Sequence, residues 1–373
     1  MTLADGRELI YFDDSLSEVA RPLGSNPRGR ATTDDRNLAG ANTPSEMRQD
    51  PLTGNWVAYA THRMNRTFMP PANENPLAPT RPGELPSEIP ADDYDVVVFE
   101  NRFPSFSYHM SVSPDFEESV DGMSALYPRR PAVARCEVIC FTPDVQTSFK
   151  DLPESRIRTV IEAWAHRTRA LSQLDEVHVV FPFENRGEEI GVTLQHPHGQ
   201  IYSYPFLPPR TREMLERADA YRDRTGRELF ESILEGEVRA GTRVIHRGEN
   251  FTVFVPAAAK WPIEVMVMPH RQVADLAELS DEEKAELAPL LKRLYTAFDR
   301  FFEGVERTPY IAAWNQAPTR GANRDKIRLH LQMFSLMRAP HRMKYLAGSE
   351  SAMGVWVNDT TPEKIAQRFQ EVW

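Results

Sequence analysis

The stretch Gln195-His196-Pro197-His198-Gly199-Gln200-Ile201-Tyr202 decides how the rest of this chain is read. Two imidazoles stand two residues apart around a proline, and glycine and glutamine follow. In an extended conformation a period of 2 puts His196, His198 and Gln200 on one face and Pro197 on the other. Proline has no N–H for a ladder, so the stretch fits a sheet edge or a strand end. A neutral imidazole attacks phosphorus near pH 7 without a separate base. A Gln amide can hold a phosphate oxygen but has no acidic proton to give. The competing reading is a pair of hydrogen-bonded histidines at a core edge. The full H-P-H-G-Q run, entered through Gly191, Val192 and Thr193, argues against it.

Working outward, residues 177–183 read as a strand that delivers Glu184-Asn185-Arg186-Gly187. Upstream, residues 95–100 and 137–141 read as buried strands. Between 152 and 171 the apolar positions Ile157, Val160, Ile161, Trp164 and Leu171 recur at helical spacing. Seven prolines between Pro70 and Pro90 make that region a loop across the surface. Residues 1–45 read as an irregular arm with one extended piece at 8–12, and the body is expected to start near Glu46. Residues 209–240, highly charged, read as a helical connector.

The remainder then repeats the first half in outline. Strands are expected at 251–255 and 262–269, and Ser280 with Glu283 forms a capping box for a helix ending near Phe302. A strand ending at Asn315 follows, as the earlier one carries Asn185, and residues 329–334 stand where the first half has its His pair. The interval is about 130 residues, which points to an internal duplication. The expected fold class is α+β: two halves, each an antiparallel sheet with a packed helix. The expected divisions are 1–45, 46–208, 209–240 and 241–373.

Composition limits the partners. A formal net charge of −10 leaves no basic excess for a nucleic-acid backbone. No apolar run approaches the length of a membrane span, and the N-terminal residues lack the apolar core of a secretion signal. Cys136 and Cys140, four apart in an apolar strand, are too far apart to bridge locally and read as buried thiols of a reducing cytoplasm.

With these residues assembled, the chain resembles the galactose-1-phosphate uridylyltransferase family, the double-domain branch of the histidine-triad superfamily. The resemblance spans about residues 46–357 and is carried by Asp50-Pro51-Leu52-Thr53-Gly54, residues 98–104, Cys140-Phe141-Thr142-Pro143-Asp144, Glu184-Asn185-Arg186-Gly187 and the His196–Gln200 run. It implies a duplicated histidine-triad fold and double displacement: His198 takes UMP from UDP-glucose, releases glucose 1-phosphate, and passes UMP to galactose 1-phosphate to give UDP-galactose. Gln200, Asn185 and the backbone of Gly191, Val192 and Thr193 would hold the phosphate. Asn101, Arg102 and Phe103 would lie at ribose and uracil, although the family commonly has an acid where Arg102 stands. Arg63 and Arg66 would reach a phosphate from a neighbouring subunit, which implies a homodimer. Lys344 and Glu350 match the hexose-side segment, where Trp356 replaces a family Gln.

The departures concern metal. Family members usually hold zinc with C-x-x-C, a further His and the first His of the pair, and often iron at a second site. Here the C-x-x-C place reads Asn75-Pro76-Leu77-Ala78, the His place reads Val145, and only His196 remains. Asn315 and Gln332 stand where iron ligands would, and His330 alone is kept. One imidazole cannot supply a tetrahedral set, so no metal cofactor is expected; Glu74 and Asp144 could make at most a weak oxygen site. Two further readings stay open: nucleotidyl transfer with another sugar 1-phosphate or nucleotide, such as an ADP-sugar phosphorylase, and a nucleotide-binding protein without turnover.

Overall fold

The computed structural model describes residues 1–14, 28–38, 45–65, 70, 74–81, 86–108 and 112–373; Arg66 lies outside them. The strands, in chain order, are β1 (Leu9–Phe12), β2 (Glu46–Gln49), β3 (Trp56–Tyr59), β4 (Val96–Glu100), β5 (Arg129–Pro131), β6 (Cys136–Cys140), β7 (Val179–Arg186) and β8 (His198–Tyr204). They continue with β9 (Val244–Arg247), β10 (Phe251–Phe254), β11 (Ile263–Pro269), β12 (Tyr310–Asn315), β13 (His330–Ser335) and the short pair β14 (Met337–Ala339) and β15 (Arg342–Met343). The helices are α1 (Glu154–Leu171), α2 (Pro209–Thr225), α3 (Leu229–Ala240), α4 (Asp281–Arg300), α5 (Gly348–Met353) and α6 (Pro362–Val372).

Ten strands form one sheet in the order β1-β4-β6-β8-β7-β12-β13-β11-β10-β9. Read from either edge, the order is the same under the exchange of β1 with β9, β4 with β10, β6 with β11, β8 with β13 and β7 with β12. The duplication expected from the sequence is therefore present, and it is fused: β7 and β12 pair antiparallel through Arg186↔Tyr310 to Phe183↔Ala313. Helices α1 and α4 occupy equivalent places and pack on each other over one face of the sheet. Every apolar position singled out between 157 and 171 is buried there. The capping box of Ser280 and Glu283 forms as expected. Phe149 stacks on Tyr295 at 4.3 Å between centroids, and Trp164 meets Trp314 at 6.1 Å, so aromatic packing crosses the join between the halves.

The other face is covered differently in each half, and this asymmetry creates a site. Alternation along β4 sends Val96 and Val98 to the helix side and Val97 and Phe99 to the opposite side. On that opposite side the N-terminal half is covered by Leu77, Ile89 and Tyr94, from and just after the proline-rich stretch, together with Leu3 and Leu9. The extended piece expected at 8–12 is the edge strand β1, paired with β4. In the C-terminal half the same face is closed by the connector, whose helices α2 and α3 bring Leu215, Phe230 and Leu234 onto Phe254 and Met268. Gly226, at φ 70°, ends α2 and turns the chain into α3. Strands β2, β3 and β5 form a separate small sheet. A turn at 50–55 and a strand at 56–60, which is β3, are legible in the sequence, but the pairing of β5 with β2 is not.

Candidate active site

Strand β8 begins at His198, and the residues before it form a bend. The period-2 extrapolation that placed His196 beside His198 thus fails two residues before the strand begins, and the two histidines do different jobs. Pairings Cys140↔His198 and Val138↔Gln200 put His198 and Gln200 on the sheet face opposite α1 and α4. Gly199 points the other way into a space with no room: a Cβ would lie 2.9 Å from the Phe183 carbonyl oxygen and 3.0 Å from the Phe141 ring. Glycine at this place lets β8 sit close to β7 while it presents His198.

His198 Nδ1–H donates to the carbonyl of His196 at 2.6 Å. That bond fixes the tautomer and leaves Nε2 with its lone pair. Burial lowers the His198 pKa below the ordinary imidazole value, so the ring is neutral at pH 7. His196 is 3% exposed and fully engaged. Its Nε2–H donates to the Thr142 carbonyl at 2.7 Å, and Nδ1 accepts from the Asn75 side-chain amide at 3.0 Å. Buried Tyr94, whose hydroxyl donates among the carbonyls of Leu77 (3.0 Å) and Thr142 (2.9 Å), lies 3.0 Å from the same Nε2. Burial pushes the His196 pKa down to about 4. His196 is therefore a neutral positioning residue whose backbone carbonyl aims His198.

This network bears on the family's zinc. Nδ1 of His196 accepts from Asn75 and Nε2–H is committed to the Thr142 carbonyl, so neither ring nitrogen is free for a metal. Among the described residues, no group of three or more His, Cys, Asp or Glu side chains could hold a metal ion. The donor set around His196 does not fit a structural zinc. The second place does not fit iron either: Gln332 donates to Glu264 at 2.6 Å, and His330 donates Nδ1–H to the Arg328 carbonyl at 2.8 Å beneath the Phe230 ring.

His198 lies where two cavities meet. One, of about 320 Å³, is lined by Arg63, Asn101, Arg102, Phe103, Thr193 and Gln200. The other, of about 260 Å³, takes in Asn185, Val192, Gln195 and Arg307. The loop after Gly191, whose φ of 79° closes a short turn, separates them, with Leu194 lining both. The residues expected at the nucleoside thus gather on one side of His198, and Asn185 with Val192 on the other. Arg63 donates to the Phe103 carbonyl at 2.8 Å and lines its own chain's cavity, whereas the resemblance has it reach across a subunit boundary. Lys344 and Glu350 pair with each other at 3.5 Å after β15 and line neither cavity. Trp356 packs edge-on against Trp261 at 4.7 Å.

Sequence reasoning missed Tyr94, Glu88 and Arg307. Tyr94 reaches His196 across 102 residues and Glu88 enters the nucleoside-side cavity from the proline-rich stretch. Arg307, which donates to the carbonyls of Gln146 (3.4 Å) and Thr147 (3.3 Å), comes from the turn before β12. None of the three sits in a motif that spacing could have singled out.

Comparisons with known proteins agree with this geometry. The model of the galactose-1-phosphate uridyl transferase N-terminal domain matches residues 35–208, and that of the C-terminal domain matches residues 214–372. A galactose-1-phosphate uridylyltransferase of Streptomyces lividans is 43% identical, covering 99% of this chain and 96% of its own length. One from Thermotoga maritima is 33% identical over 87% of this chain and 98% of its own. A solved uridylyltransferase structure superposes with a TM-score of 0.74 at 31% identity, covering 88% of this chain and 98% of that one. With both domain models matched in order along a duplicated sheet, the chain belongs to the galactose-1-phosphate uridylyltransferase family.

Proposed function

We propose that this enzyme moves UMP from UDP-glucose to galactose 1-phosphate, with the uridylyl group carried in between on Nε2 of His198. The observation that carries the covalent step is the pinned tautomer: Nδ1–H is committed to the His196 carbonyl, so Nε2 is the nucleophile. Nε2 attacks the α-phosphorus, a P–N bond forms, and the bond to the oxygen of glucose 1-phosphate breaks. The ring gains positive charge, and the 2.6 Å hydrogen bond to the His196 carbonyl stabilises it where it develops. A phosphate oxygen of galactose 1-phosphate then attacks the same phosphorus, the P–N bond breaks, and UDP-galactose leaves. No proton is transferred in either step, because a phosphate monoester, with a second pKa of about 6, departs without an acid. Gln200 suits that chemistry: it can donate a hydrogen bond to a phosphoryl oxygen but cannot protonate a leaving group or water.

The test uses UDP-glucose labelled in its UMP moiety. Label should become bound to His198 in an acid-labile form, one glucose 1-phosphate should be released per label, and galactose 1-phosphate should chase it into UDP-galactose. Faster labelling by ADP-glucose, or a chase that works only with another sugar phosphate, would replace the substrates named here. Absence of labelled protein during turnover would refute the covalent route.

The same reading includes a cytoplasmic homodimer built from two histidine-triad halves, 46–208 and 241–373, with the segment 209–240 between them and 1–45 preceding. Among the described residues, no helix is long and apolar enough to cross a membrane. Turnover is proposed to need no bound metal, since Asn75 and Thr142 already satisfy His196. Purified protein should hold well below one zinc or iron per chain. Chelator should leave melting temperature, turnover and the sedimenting mass of a dimer unchanged. One equivalent of tightly held zinc with His196 among its ligands would overturn the metal-free reading, because removal of a structural metal destabilises the fold it supports.

A further inference from the structure

Two charged groups in the nucleoside-side cavity, Arg102 and Glu88, belong to no part of the histidine motif. Arg102 is 30% exposed there, and among the described residues its guanidinium donates no hydrogen bond to protein. It is held by charge instead: Nε lies 2.9 Å from Glu88 Oε1 without hydrogen-bond alignment, and Nη2 lies 3.8 Å from Asp5 Oδ2. The other oxygen of Glu88 accepts from Arg7 Nη2 at 2.5 Å. Arg7 is 2% exposed, and it also donates to Asp5 through Nε at 2.8 Å and to the Glu100 carbonyl at 2.8 Å. Its neighbours Glu88 and Asp5 raise its pKa above the ordinary value even though burial opposes the charge. Asp5, Arg7, Glu88 and Arg102 thus alternate in sign from the start of the chain to the cavity.

We propose that Asp5 and Arg7 act as positioning residues for the nucleoside: through Glu88 they hold Arg102 as a hydrogen-bond donor to an oxygen of the uridine moiety. The inference rests on the nucleotidyl-transfer reading and extends it to a segment that precedes the matched domain models, which begin at residue 35. A guanidinium donates and never accepts, so its ligand partner is an acceptor such as a uracil carbonyl or a ribose oxygen. A free arginine side chain carries large rotamer freedom; pairing with Glu88 removes part of that freedom before the ligand arrives. Glu88 stays in place in turn because buried Arg7 needs a carboxylate. A buried charge deprived of its partner is costly, so the arrangement is rigid where it matters.

The experiment measures the dissociation constant of UMP by calorimetry, alongside KM and kcat, on the full-length enzyme. Arg102→Ala should weaken UMP binding by about 10-fold to 100-fold, as expected for loss of a hydrogen bond from a charged donor. KM for UDP-glucose should rise with it, and KM for galactose 1-phosphate should not. Glu88→Gln should weaken UMP binding in the same direction, and the double variant should be no worse than Arg102→Ala alone, because both act through one contact. Arg7→Lys keeps the buried charge and should retain most of the affinity. Arg7→Gln, which removes the charge, should weaken UMP binding as Glu88→Gln does and add nothing to Arg102→Ala. The positioning role is refuted by an unchanged dissociation constant in Arg7→Gln, or in Asp5→Asn should Arg7→Gln fail to fold. An unchanged UMP dissociation constant in Arg102→Ala, or additive effects in the double variant, would refute the inference. Failure of the unaltered enzyme to bind UMP at all would refute the function reading itself.

Discussion

Replacing His198 by glycine is expected to abolish uridylyl transfer, with a loss of roughly 10 000-fold or more in kcat. The fold should survive, because His198 lines a cavity and its one described hydrogen bond is to the carbonyl two residues earlier. The vacated space faces the same carbonyl acceptor. Free imidazole should enter it, donate one N–H to the His196 carbonyl and offer its other nitrogen to phosphorus. Partial return of activity with imidazole, saturating with its concentration, is the expected signature of a missing nucleophile. His196→Asn should behave differently. The backbone carbonyl that aims His198 remains, but the Asn75 side-chain amide loses its partner and the Thr142 carbonyl keeps only the Tyr94 hydroxyl. Leaving a buried donor such as the Asn75 amide unsatisfied costs about 1–3 kcal/mol, so this variant should melt earlier while retaining measurable transfer. Equal and complete loss in both variants, each still folded, would remove the distinction between nucleophile and positioning residue.

Much of this arrangement is legible in the sequence because it is local. Helix α1 announces itself through Ile157, Val160, Ile161 and Trp164, and α4 through the Ser280 and Glu283 cap. Strand β8 follows from H-P-H-G-Q, and the repeat of Asn185, His198 and Gln200 as Asn315, His330 and Gln332 reveals the duplication. What stays hidden is long-range. Nothing in residues 179–186 or 310–315 shows that β7 and β12 pair with each other to fuse ten strands into one sheet. Either could equally have ended its own half. The asymmetry between the halves is hidden for the same reason. Phe230 on α3 lies over His330, while the corresponding face above His198 is left to a proline-rich stretch that stops short and leaves a cavity. Charge contacts such as Arg7 with Glu88 span 81 residues between segments without periodicity, so no pattern predicts them. The reach of period-2 reasoning also has a limit: it failed at His196, where the bend that precedes β8 gives the side chain a different set of partners.

The second large effect is on stability in acid. Burial holds both His196 and His330 neutral, with pKa values pushed down to about 4 from the ordinary 6.5. The carbonyls of Thr142 and Arg328, which accept from the two rings, work against that depression, while His198 beside His196 and Arg210 beside His330 add to it. Between these limits the unfolded chain takes up protons that the native chain refuses. The neutral forms therefore contribute stability fully above pH 6.5, and that contribution is lost progressively as pH falls towards 4. For a depression of this size the loss is about 3 kcal/mol per histidine. Glu184 works in the opposite direction. Burial raises its pKa to about 7 from 4.5, so its contribution is present below 4.5 and is lost as pH rises through 7. Its contribution offsets roughly one of the two histidines. Burial of His198 and His166, whose pKa values are also lowered, adds to the loss on acidification. Urea unfolding from pH 7 to pH 4 should show this decline. The assignment is checked with His330→Asn, chosen because His330 lies outside the cavities at His198 and an Asn amide can still donate to the Arg328 carbonyl. This variant should be less stable than the native chain at pH 7, since it trades a buried ring for a smaller side chain. Its stability should nevertheless fall less steeply, so that the difference between the two proteins shrinks by about 3 kcal/mol between pH 7 and pH 4. Parallel pH profiles would mean that His330 is not held neutral, and the acid sensitivity would then have to come from groups elsewhere in the fold.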